Sequence, residues 1–145
     1  MRAIAREHGE PVQLVGWSLG GLLARVAANR LRAHVSRVIT LGSPLNGDPQ
    51  CSRLSSLFER ACGRSLVDRG VRRLLRESNT VPVTSIYSRT DGVVAWQASA
   101  QPEGPHTAIE VDCSHLGMVV HPHVLDLVAR QLARPAVPLQ QTIAA

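Results

Sequence analysis

One serine in the chain is framed by glycines at fixed spacing. Residues 16–20 read GWSLG, which fits the pattern G-x-S-x-G, and Gly21 follows directly. An apolar run precedes the motif, and apolar residues at helical spacing follow it. A nucleophile elbow requires this context, because the turn between strand and helix must be sharp enough to project the serine oxygen from the sheet. The pattern therefore predicts Ser18 as a nucleophile.

The neighbours of Ser18 have expected steric and electrostatic roles. Side chains two residues before and after the serine would crowd the turn, so Gly16 and Gly20 are expected to remove that clash. Gly21 is expected to let the helix pack closely on the strand, and Trp17 occupies the position before the serine. The helix N-terminus behind the serine also favours negative charge that develops nearby.

A serine hydroxyl needs a base, and the base needs an acid that orients it. In an elbow of this kind the chain order is serine, acid, histidine. Asp91 follows a later predicted strand, and His115 lies in the loop after the last one. Both fit this order. Asp112 is the rival acid, and Asp91 has an alternative role as an ordinary turn residue, because Asp-Gly is a common turn pair.

The other histidines fit the role of base less well. His8 and His34 are expected at the surface near helix ends, and His106 begins a predicted strand. His121 and His123 flank a proline at a predicted helix start, and such a pair could suggest a metal. No third ligand of suitable type and spacing accompanies them, so no metal site is expected.

The elements that must position these residues alternate along the chain. Strands are predicted at 11–17, 36–42, 81–88 and 106–111, and helices at 2–8, 18–32 and 121–133. The first strand is almost continuously apolar, which predicts burial on both faces. Residues 97–105 are predicted to form a loop. Strands that alternate with helices predict an α/β protein with a parallel sheet.

Charge is concentrated in one segment. The chain has 145 residues and a formal net charge of +5, and all of its basic residues are arginines. Seven of them lie between residues 53 and 76 against two acidic residues. Phe58 is the one aromatic residue there, and no nucleic-acid-binding motif accompanies the segment. We therefore expect a solvated helical face and no nucleic-acid partner.

The cysteines and the first residues bear on the cellular compartment. Cys51, Cys62 and Cys113 fit no zinc or C-x-x-C signature. Cys51 and Cys62 could form a disulfide in an oxidising compartment, although ordinary thiols are the first expectation. Residues 1–10 are charged and lack the apolar core of a signal peptide, so a cytoplasmic location is expected.

Four segments together resemble the C-terminal part of bacterial α/β-hydrolases of the lipase and esterase type, close to the PGAP1-like group of serine lipases. The segments read LVGWSLGGLLAR, VITLGSPLNGDP, TSIYSRTDGVVAW and VDCSHLGM. The resemblance covers about residues 10–133. It implies a partial α/β-hydrolase fold, with about four parallel strands, flanking helices and a short helical cap segment at about 51–77. One domain over 1–134 and a loose tail over 135–145 are expected.

The resemblance also implies a reaction. Ser18 would be the nucleophile of a serine esterase or lipase, with Asp91 as the acid and His115 as the base. The backbone N–H of Leu19 would be one oxyanion donor. The substrate would be a small-molecule or lipid ester, cleaved without metal or organic cofactor.

The position of Ser18 near the start of the chain departs from the family pattern. Complete members have several strands before the nucleophile, and one of the loops between them supplies the second oxyanion donor. The alternative function is therefore a catalytically weak or inactive fragment or subunit that needs an N-terminal half or a partner chain. In either case the strand Val12–Trp17 would expose an uncharged edge, through which self-association or binding of a partner is expected.

Overall fold

The computed structural model describes residues 1–45, 63, 81–100 and 106–135. Strands and helices alternate through these residues. The strands are β1 (Val12–Trp17), β2 (Val35–Leu41), β3 (Val83–Tyr87) and β4 (His106–Glu110). The helices are α1 (Arg2–His8), α2 (Leu19–Arg30), α3 (Trp96–Ser99) and α4 (Pro122–Leu132), with single 3-10 turns at Arg32–His34 and Gly117–Val119.

The four strands form one parallel sheet in the order β1-β2-β3-β4. The predicted parallel α/β architecture is therefore confirmed. All four strands run in the same direction, so their carboxyl ends lie at one edge of the sheet. The loops that follow β1, β2, β3 and β4 are consequently neighbours in space, although they are far apart in sequence.

Two apolar clusters hold the helices against the sheet. One contains Ile39, Ile86 and Val124, and residues of α4 pack against it. The other contains Ala28 of α2 together with Val38 and Val83 of the sheet. All seven residues of β2 are buried, because this strand is paired on both sides and covered on both faces. Burial of the apolar side chains in the two clusters is the main contribution to the stability of the sheet.

The structure corrects two predictions from the sequence. The first strand, predicted to be buried on both faces, is partly exposed. In the described part of the chain it pairs with β2 alone, which agrees with the open edge expected for it. Residues 97–99, at the start of the segment predicted as a loop at 97–105, belong to α3, whereas residues 101–105 lie outside the described residues. Buried packing of Ala98 and a hydrogen bond from the Leu45 N–H to the Ala98 carbonyl (2.8 Å) hold this turn.

Several predictions lie outside the described residues. They are the cap-like segment at about 51–77 with its arginines, the Cys51–Cys62 pair and the tail after residue 135. The extent of the domain, 1–134, stays a prediction. Within the described ranges, no helix is long and apolar enough to cross a membrane.

The outer edge of β1 leads to a first testable prediction. Val15 is 45% exposed on this strand, and Val12–Trp17 carries no charged residue. We expect the chain to associate through this edge, either with itself or with a partner strand. Sedimentation velocity at micromolar concentration should show species larger than a monomer.

Two substitutions by lysine provide the control. Val15→Lys should weaken the association, whereas Leu23→Lys, on the equally exposed surface of α2, should leave it unchanged. A monodisperse wild-type monomer whose β1 amides exchange slowly with solvent would contradict the prediction.

Candidate active site

Ser18 occupies the sharp turn between β1 and α2. Its backbone has φ 54° and ψ −125°, and it is the one non-glycine residue with a positive φ in the described part of the chain. The Ser18 N–H donates to the Leu41 carbonyl at 2.8 Å, which ties the turn to the end of β2. Although Ser18 stands at the N-cap position, its side chain does not cap α2. The Ser18 hydroxyl is thus not used for the capping role that a serine commonly has at this position.

The glycines of the elbow are not equivalent. A Cβ on Gly16 would lie 2.5 Å from the backbone of Gly21, and one on Gly21 would lie 2.1 Å from Ser43 Oγ. A Cβ on Gly20 would meet nothing within 4 Å. The expectation that Gly20 relieves a clash is therefore wrong, because this residue faces open space on the first turn of α2. Gly16 and Gly21 alone allow the helix to lie against the strand.

Asp91 and His115 form a buried pair at the same edge of the sheet. Asp91 follows β3 and His115 follows β4, and His115 Nδ1 lies 2.8 Å from Asp91 Oδ2. The two side chains are 3% and 6% exposed. The His115 N–H also donates to the Asp91 carbonyl at 2.9 Å. A carboxylate only accepts hydrogen bonds, so Nδ1 carries the proton and Nε2 is left as the basic nitrogen.

The second oxygen of the Asp91 carboxylate is fixed separately. Asp91 Oδ1 accepts hydrogen bonds from the backbone N–H groups of Val93 (2.9 Å) and Val94 (2.6 Å). This local turn holds the carboxylate so that Oδ2 faces the imidazole. The turn that the Asp-Gly pair predicts is thus present, and in the same structure it orients the acid.

Asp112, the rival acid, has a different partner. Its carboxylate accepts a hydrogen bond from Thr90 Oγ1 at 3.0 Å in an exposed setting. Thr90 Oγ1 lies 2.9 Å from Ser88 Oγ, which in turn accepts from the Cys113 N–H at 3.3 Å. These contacts join the loop after β3 to the loop after β4. Asp112 therefore braces the two loops that carry Asp91 and His115.

Gly42 is a site residue that sequence reasoning missed. It follows β2 with φ 50°, and its N–H donates to the Ile86 carbonyl at 2.9 Å. A Cβ at this position would lie 2.7 Å from Asp91 Oδ2 and 3.1 Å from His115 Nδ1. The absent side chain is what leaves room for the acid and the base to meet. A glycine directly after a buried strand was the signal that could have drawn attention to it.

Trp17 and Leu19, the residues on either side of Ser18, have contrasting positions. The Trp17 indole lies beside the His115 imidazole, with 5.1 Å between ring centroids. Leu19 is the first residue of α2, where backbone N–H groups have no acceptor within the helix. The Leu19 N–H therefore suits the expected oxyanion contact.

The remaining histidines and Cys113 do not join this arrangement. Burial, together with the charge of Arg25, lowers the pKa of His106 at the start of β4. Burial and the carboxylates of Asp91 and Asp112 raise the pKa of the Cys113 thiol, which keeps it protonated and weakly nucleophilic. The described residues contain no group of three metal-ligating side chains, and His8, His121 and His123 are exposed.

Comparison with solved structures shows the fold. The chain aligns over 90% of its length with the esterase domain of a Rhodothermus marinus protein, at 23% identity and a TM-score of 0.60. It also aligns over 90% of its length with a Bacillus licheniformis lipase, at 18% identity and a TM-score of 0.66. The same share aligns with the Paleococcus ferrophilus monoacylglycerol lipase, at 16% identity and a TM-score of 0.62. It spans 62%, 69% and 70% of the Rhodothermus, Bacillus and Paleococcus chains, respectively. The partial α/β-hydrolase fold is thereby confirmed.

Comparison with protein families and curated sequences completes the assignment. No curated protein sequence matches the chain. The PGAP1-like subgroup stays a prediction. The family model of palmitoyl protein thioesterase matches residues 1–100, which include the elbow and Asp91. Since this match covers more than half of the 145 residues, the chain belongs to the palmitoyl protein thioesterase family, within the α/β-hydrolases.

Proposed function

We propose that the chain carries the catalytic residues of a serine hydrolase that cleaves acyl esters or thioesters. The observation that supports this most directly is the buried 2.8 Å contact between His115 Nδ1 and Asp91 Oδ2, at the same sheet edge as the elbow of Ser18. Burial of both partners excludes water from the pair and strengthens their interaction. The pair adds no apolar packing to the core, and burying its polar groups costs desolvation free energy. A catalytic role is the best explanation for that cost.

The proposed reaction has two steps. Ser18 Oγ attacks the acyl carbon while His115 Nε2 takes the hydroxyl proton. The tetrahedral intermediate then collapses, the bond to the leaving alcohol or thiol breaks, and His115 returns the proton to that group. Water next attacks the acyl-serine, again with His115 as base, and releases the carboxylic acid and free Ser18.

Charge on the oxyanion is stabilised in this scheme from the α2 side. The Leu19 N–H stands at the N-terminus of α2, and the positive end of the helix dipole points to the same place. A second oxyanion donor is expected from a part of the protein other than Ser18 and α2. Loss of one such donor typically lowers kcat by about 10²–10³-fold.

The surface around the pair suits an apolar acyl group. Leu116 directly follows His115 and is 69% exposed, and Val93, which lies in the turn that holds Asp91, is also exposed. Membership of a thioesterase family favours a thioester of a fatty acid over a simple short ester. We therefore propose a lipid-like acyl chain as the group transferred to Ser18.

A serine-directed fluorophosphonate tests the proposal. We expect the reagent to label the chain at one site, and peptide mapping should identify this site as Ser18. Ser18→Ala and His115→Ala should each abolish labelling. Ser36→Ala is the matched control, because Ser36 lies at the opposite end of β2, where its hydroxyl contacts the carbonyls of Pro11 and Val12. This variant should label normally.

The outcomes separate the two functions. Labelling at another serine, or undiminished labelling of His115→Ala, would contradict the assignment. An unlabelled wild-type chain would favour the alternative of an inactive fragment or subunit, which the 62% coverage of the Rhodothermus esterase domain supports. For a labelled chain, hydrolysis rates of a palmitoyl thioester and the matching p-nitrophenyl ester would then decide between the two substrate classes.

A further inference from the structure

Trp17 connects the nucleophile strand to the proposed base. Its indole Nε1–H donates to the His115 backbone carbonyl at 3.0 Å, across 98 positions of the chain. Its ring lies beside the imidazole, with a centroid distance of 5.1 Å and an interplanar angle of 38°. Trp17 also packs against the apolar cluster that includes Val124 of α4.

The backbone of His115 is thereby fixed at both of its polar groups. The His115 N–H donates to Asp91, and the His115 carbonyl accepts from Trp17. The first contact comes from the loop of the acid and the second from the residue before the nucleophile. The indole N–H can only donate, so the direction of this hydrogen bond cannot reverse. A displacement of the base away from Ser18 would break it.

We propose that Trp17 is a positioning residue that holds His115 in register with both Ser18 and Asp91. This inference rests on the proposed function of Ser18. The indole N–H anchors the main chain from which the imidazole projects, and the indole ring limits the rotation of the imidazole about its side-chain torsions. A base misplaced by a fraction of an ångström transfers its proton less effectively. Trp17 thus acts on the reaction through His115, without touching the reacting atoms.

Two substitutions separate the contributions of the indole. Trp17→Phe keeps an aromatic ring and removes the donor, whereas Trp17→Leu removes both. In the fluorophosphonate reaction, we expect Trp17→Phe to lower the maximal labelling rate of Ser18 by about three- to tenfold, the effect of one neutral hydrogen bond. The reagent concentration at half-maximal rate should stay unchanged. Trp17→Leu should be slower again, unless it fails to fold.

The matched control is the other tryptophan of the chain. The Trp96 ring stacks on Tyr87, with 6.2 Å between ring centroids, and its centroid lies 4.5 Å from Arg89 Cζ. The ring stacked beside His115 is that of Trp17. Trp96→Phe should label at the wild-type rate. Melting temperatures of Trp17→Phe and Trp96→Phe should be similar, which distinguishes positioning from a general loss of stability.

A measurement that needs no activity completes the test. Proton NMR of the wild-type chain should show a low-field signal from the His115 Nδ1–H that faces Asp91. The signal should broaden in Trp17→Phe and stay sharp in Trp96→Phe. If the wild type is not labelled, the proposed function fails, and this signal alone decides the inference. Equal signals and equal labelling rates in Trp17→Phe and the wild type would overturn it, and so would the absence of the signal in the wild type.

Discussion

Asp91→Asn should lower kcat by about 10⁴-fold while the fold is retained. The amide oxygen of asparagine can still accept the hydrogen bonds from Val93 and Val94, so the turn after β3 keeps its shape. The amide nitrogen then faces His115 Nδ1, where it can only donate. Nδ1 must become the acceptor, and the ring proton moves to Nε2. A protonated Nε2 cannot take the proton of Ser18.

Steady-state hydrolysis of an activated ester, combined with circular dichroism, measures this effect. Asp112→Asn is the matched control, since Asp112 is exposed and bonded to Thr90 instead of His115. We expect its kcat to stay within about threefold of the wild type, in line with a surface hydrogen bond. A large loss in Asp112→Asn together with a small loss in Asp91→Asn would exchange the roles of the two carboxylates.

Gly16→Ala should destabilise the chain by about 3 kcal/mol or more, the upper range for overpacking a rigid site. The new Cβ would lie 2.5 Å from the Cα and N of Gly21, and neither atom can move without shifting α2 away from β1. Gly20→Ala should instead stabilise the chain, by up to about 1 kcal/mol. Its Cβ meets nothing within 4 Å, and alanine favours a helix over glycine.

Chemical denaturation of the two variants beside the wild type tests this pair. Both substitutions add one methyl group to the same G-x-S-x-G motif, so composition and unfolded-chain effects largely cancel. If Gly16→Ala and Gly20→Ala were equally destabilising, the close approach of α2 to β1 would not be the reason for the glycines. Labelling of Gly20→Ala by the fluorophosphonate should proceed as in the wild type.

The contrast between Gly16 and Gly20 shows how far the sequence could lead. The motif is symmetrical about Ser18, and a symmetrical steric role was the natural prediction. The turn itself is not symmetrical, because one side is a strand covered by the helix and the other is the exposed first turn of that helix. Which glycine faces backbone depends on the angle between β1 and α2, and no local pattern contains that angle.

The proposed acid and base were predictable for a different reason. Polar residues directly after strands of a parallel sheet must share one edge, so Asp91 and His115 could be expected near each other, with Asp112 as the rival acid. Gly42 could not be found in this way, because its role is to leave space for two side chains that come from other strands. The open edge of β1 was expected, but the partial exposure of its faces was not, because apolar content reports a preference for burial and not the presence of a neighbour.

The sequential order of the four strands also determines when the site can exist. During synthesis the elbow and β2 leave the ribosome before β3 and β4, and their pairing needs only the short connection through α2. The Asp91 loop follows much later, and His115 comes after β4. Until β4 has docked, the proposed nucleophile therefore has no base beside it. In the proposed reaction, the last strand to dock therefore completes the site, and Ser18 has no help from His115 before that step.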